Sequence, residues 1–74
     1  MGINIDSLVS SESKVEMLEG RIKQFATEAY QYKLNLKTAE ALGLEEQIES
    51  AKQQLTILEA AIKVHQEELD EISK

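Results

Sequence analysis

From Leu44 to the C-terminus, apolar and small residues return at alternating steps of four and three. They are Leu44, Ile48, Ala51, Leu55, Leu58 and Ile62, then His65, Leu69 and Ile72. That spacing keeps one stripe of an α-helix apolar and makes it a coiled-coil seam. A second seam of the same kind runs through Val15, Leu18, Ile22, Phe25, Ala29, Tyr32, Leu36 and Ala39.

The two seams do not join. After Ala39 the next seam position falls on Gly43, and the pattern resumes one residue late at Leu44. One residue is about 100° around a helix, so an unbroken helix would move its apolar stripe sideways there. A helix that stops at Leu42, with Gly43 as a left-handed cap, explains the shift. Glu45 and Glu46 then lie in the first turn of a new helix, where carboxylates complement the helix dipole. No Ser, Thr, Asp or Asn caps that second helix.

The pattern therefore predicts an all-α fold: an antiparallel two-helix hairpin, coiled-coil-like, that assembles further into a helical bundle. Helix 1 is expected over 12–42, the turn at 43–44 and helix 2 over 45–73. The competing architecture is one continuous helix in a parallel coiled coil. The two differ in length, about 45 Å against about 90 Å at 1.5 Å per residue. Folding at 43/44 pairs Ala39 with Ile48, Leu36 with Ala51, Phe25 with Ile62, Ile22 with His65, and Val15 with Ile72. Arg21 comes near Glu68, and Lys33 near Lys52.

Upstream, Met1 to Ser10 has no helical period and is expected to be a flexible N-terminal tail. Its Ile3 and Ile5 are the residues that could dock on a neighbouring subunit. The helix is expected to begin at Ser11 to Ser13. Ser13 and Glu16 have the spacing of a capping box, in which each side chain satisfies an orphan backbone N–H at the helix start.

A lone hairpin covers one stripe of each helix, and both helices carry more apolar surface than that. Helix 1 adds Ala26, Tyr30 and Leu34; helix 2 adds Ile57, Ala61 and Val64. At 100° per residue the two sets lie at one height on opposite flanks of the hairpin. These six are the expected oligomer interface, because an apolar, uncharged belt between charged ends suits self-association. A homo-oligomer follows, its simplest form a four-helix bundle of two hairpins.

Composition supports this picture. Seventy-four residues with no Cys and no Pro leave helix packing as the means of stabilisation. With one His and no thiol, neither a metal site nor a cofactor is expected. No apolar run approaches the roughly 20 residues of a membrane span, and the N-terminus lacks a signal-peptide pattern. Asp6 breaks the myristoylation motif that Met1-Gly2 begins. A cytoplasmic protein is the expectation.

The net charge is −6. Residues 1–37 hold five acids and five bases, so residues 38–74 carry the whole excess. Phosphate contacts need a basic footprint, so direct nucleic-acid binding is disfavoured. A basic protein partner is permitted.

Candidate chemistry is sparse. His65 lies on the seam, where a polar residue can set register or reach out to a carboxylate such as Glu68. Glu67, Glu68, Asp70 and Glu71 form an acidic cluster that solvent or a basic protein groove could meet. Tyr30, Tyr32, Lys33 and Lys37, with Lys52, are the one place where aromatics and bases could hold a small anion. No Gly-rich phosphate loop or Ser–His–Asp set is present, so no enzyme is expected. The expected function is protein–protein interaction, by an accessory or structural factor. The alternatives are an acidic inhibitor, of the kind viruses encode, that occupies a basic site of a nucleic-acid-handling protein, and an oligomer that binds a small anionic ligand.

Overall fold

The structure, a computed structural model, describes residues 2–74. It contains three helices: α1 at Ile5–Leu8, α2 at Ser11–Leu42 and α3 at Glu45–Ile72. The two long helices pack against each other as an antiparallel hairpin, and no strand occurs among the described residues. The long dimension is 52 Å, close to the length of a folded-back chain rather than an unbroken helix.

Gly43 makes the reversal. Its backbone sits at φ 70° and ψ 29°, in the left-handed region that a Cβ disfavours. From there the Gly43 N–H donates to the Glu40 carbonyl at 3.2 Å, and the Leu44 N–H to the Ala39 carbonyl at 3.0 Å. These two bonds are the Schellman pattern, and they satisfy carbonyls that the end of α2 would leave orphaned. As expected, no side chain caps α3. Its first turn is closed by the Ile48 N–H on the Leu44 carbonyl at 2.9 Å, with Glu45 and Glu46 at the positive end of the dipole.

The other end of α2 corrects one expectation. The cap is Ser10, whose Oγ accepts the Ser13 N–H at 3.2 Å. The Ser13 hydroxyl is itself engaged by Ser10 at 3.0 Å, so the Ser13–Glu16 capping box does not form. Ser10 is the first serine with extended backbone ahead of the helix, which is the conformation a cap requires. α3 ends at Ile72, one residue early, with the Ser73 N–H on the Leu69 carbonyl at 3.0 Å.

The N-terminal segment, expected without helical period, closes one turn over Ile5–Leu8. Asp6 reaches Lys14 at 4.0 Å, and Val9 is half-buried. Ile3, Ile5 and Leu8 stay exposed.

Both seams lie inside the hairpin. Leu18, Ala39, Ala51 and Leu58 are buried. Val15, Ile22, Phe25, Leu36, Ile48, Leu55, Ile62, Leu69 and Ile72 are half-buried. Leu44, at the turn, remains 41% exposed.

His65 is half-buried and meets Phe25 edge-to-face, with ring centroids 5.0 Å apart. That neighbour is one layer nearer the turn than Ile22. Its Nδ1 lies 2.7 Å from the Ala61 carbonyl. A carbonyl can only accept, so Nδ1 carries the proton and donates. The expected partner Glu68 makes no ion pair with His65 or Arg21; among the described residues the ion pairs are Lys14–Asp6 and Lys74–Glu71.

Candidate interaction surface

Six apolar positions were expected to face outward at mid-hairpin, and the structure leaves five of them exposed. Tyr30 is 62% exposed, Leu34 46%, and Ile57 and Val64 58% each. Ala26 is exposed too, while Ala61 is half-buried. Single exposed apolar residues are ordinary. A set repeated along both flanks of a two-helix plate is not, because each helix has a partner on one side only.

Hollows mark the seam between the helices. Near the turn, Tyr32, Asn35 and Ala39 of α2 face Gln47, Ser50 and Ala51 of α3 across a groove of about 300 Å³. None of its lining residues is charged. Small side chains make it: Ala39 and Ala51 are buried at its floor and leave room above them. At the open end, Met17, Leu18, Glu68 and Ile72 enclose a smaller hollow of about 160 Å³, roofed by Ile5 and Val9.

Sequence reasoning named Leu18, Ile72, Glu68 and Ile5 but missed Met17 at the open-end hollow. Met17 is half exposed, and the helical turn holding Ile5 and Leu8 stands beside it. The available signal was Met17 alone, an apolar residue off the seam.

The acidic cluster is open to solvent. Glu67, Glu68, Asp70 and Glu71 are all exposed. Glu71 pairs with Lys74 at 3.1 Å; Glu68 borders the open-end hollow together with Lys14. No group of acidic or His residues that could hold a metal ion occurs among the described residues.

Tyr32 and Lys52 do not share a hollow among the described residues. Tyr32 turns into the turn-end groove, whose lining contains no lysine. Lys52 borders a separate shallow hollow with Glu49, Gln53, Thr56 and Ile57. No helix is long and apolar enough to cross a membrane among the described residues.

The chain matches no protein-family model, no curated protein and no solved structure.

Proposed function

We propose that the chain is a non-enzymatic protein–protein interaction module of the cytoplasm: a small acidic hairpin that self-associates and presents its ends to another protein. One observation carries this reading. The chain exposes 5997 Å² of surface. A globular monomer of its 8.3 kDa mass exposes about 4,600 Å² by the scaling of area with mass. The excess, about 1,400 Å², is larger than the roughly 800 Å² that each partner covers in an interface of ordinary size. The seams supply little fully buried core, since two of the four buried residues are alanines. A second copy covers one exposed flank and completes the core.

The test is thermal unfolding over a wide range of chain concentrations. Mass action makes an obligate assembly melt at higher temperature as concentration rises. A melting temperature that ignores concentration would reject self-association.

The acidic open end favours a second reading, occupation of a basic protein groove. Three of its four carboxylates, Glu67, Glu68 and Asp70, are exposed and free of ion pairs among the described residues. Binding to such a partner would weaken with salt and be lost on charge reversal at Glu67, Glu68 and Glu71. Binding that survives both would exclude it.

A further inference from the structure

We infer that the second copy docks antiparallel on the Ile57 flank of the hairpin, so that Met17 of each copy lies over the turn-end groove of the other. This rests on the self-association proposed above, and adds the face and the orientation.

The choice of flank follows from charge. At 100° per residue, one side of α3 presents Gln47, Ser50, Gln54, Ile57, Ala61 and Val64, with Glu46 and Glu68 as its charges, one towards each end. The other side presents Lys52, Glu59, Lys63 and Asp70. On α2 the Ile57 flank takes Met17, Gln24 and Asn35, with Arg21 and Glu28 as its charges. The Tyr30 flank takes Glu19, Lys23 and Lys37. Interface cores are depleted in charge, so the Ile57 flank is the one to bury.

The orientation follows from spacing. Met17 at the open-end hollow and Asn35 at the turn-end groove are eighteen residues apart on α2. Ser50 at the groove and Glu68 at the hollow are eighteen apart on α3. Eighteen residues are about five full turns, so both pairs stand on one flank about 27 Å apart. A two-fold axis midway between them crosses α3 between Ile57 and Ala61. It lays the half-exposed Met17 and the exposed Ile5 and Leu8 over the partner's uncharged groove. It also brings Ile57 against Ala61 and Val64 of the second copy, where the small Ala61 lets the helices approach. An antiparallel dimer further keeps the two acidic open ends apart.

The chain has no cysteine, so introduced thiols report alone. Full-length Met17→Cys and Asn35→Cys variants, one of them tagged, are mixed and treated with a short thiol-specific cross-linker. Both sites are exposed, and circular dichroism checks that the variants keep their helicity. The expected product is the heterodimer of the two variants. Ile57→Glu should abolish it, and Tyr30→Glu should leave it unchanged. Homodimers in its place, or no cross-link in a sample that sediments as a dimer, overturn the arrangement and leave self-association standing. Sedimentation as a single chain at every concentration removes both.

Discussion

Two glycines in this chain should respond to the same substitution in opposite ways. Gly43 holds the left-handed conformation at the turn, and a Cβ there would touch nothing within 4 Å. Gly43→Ala therefore suffers backbone strain without a clash, and should destabilise the fold by about 1–2 kcal/mol. Gly20 lies inside α2 with open space around it. Gly20→Ala should stabilise by about 1 kcal/mol, since Ala is the better helix former. Urea midpoints of the two variants should move in opposite directions; shifts of one sign would contradict the capping geometry. The serines make a similar contrast. Ser10→Ala removes the oxygen that accepts the Ser13 N–H and should cost about 1 kcal/mol. Ser13→Ala keeps that bond and should change the midpoint little. Gly43 could be read from the sequence because it falls where the heptad phase breaks. Ser10 could not, because three serines within four residues offer nearly equal caps and only the backbone chooses among them.

The helices themselves were legible as elements. Each seam repeats for eight or nine positions, far beyond what a chance pattern sustains, and burial follows it at every position but Leu44. What one-dimensional spacing does not carry is the turn at Ile5–Leu8. One helical turn is too short to have a period, and its single ion pair with Lys14 depends on the fold of the open end. Nor does spacing announce Met17, which lies off the seam between Val15 and Leu18. The six expected interface positions were legible as apolar residues outside the seams. Which flank is covered depends on how two antiparallel helices present their sides together. Neighbouring residues of α3 should reveal the difference between the seam and the flank. Leu58 is buried in the hairpin, so Leu58→Ala should cost about 2–4 kcal/mol at every chain concentration. Ile57 is 58% exposed in the single chain, so Ile57→Ala should weaken the fold only where the chain is associated. Urea titrations at low and high concentration separate the two. An equal, concentration-independent loss at both positions would mean that Ile57 packs within its own chain.

The whole molecule is a narrow plate of 52 × 25 × 16 Å. Its radius of gyration is 16.6 Å, against about 11 Å for a globular domain of this length. So extended a shape leaves a small core and a large apolar perimeter. Covering one flank with a second hairpin makes a four-helix bundle, in which half-buried seam residues gain a further neighbour. It leaves Tyr30, Leu34 and the acidic ends facing outward, where another protein would find them. Sedimentation equilibrium of the full chain tests the central claim most directly. The dimer gives twice the 8.3 kDa chain mass for the native sequence and for Tyr30→Glu, and Ile57→Glu should give a single chain mass with its helicity kept. A native chain that sediments at 8.3 kDa at every concentration, or an Ile57→Glu chain that keeps the native mass, would contradict it.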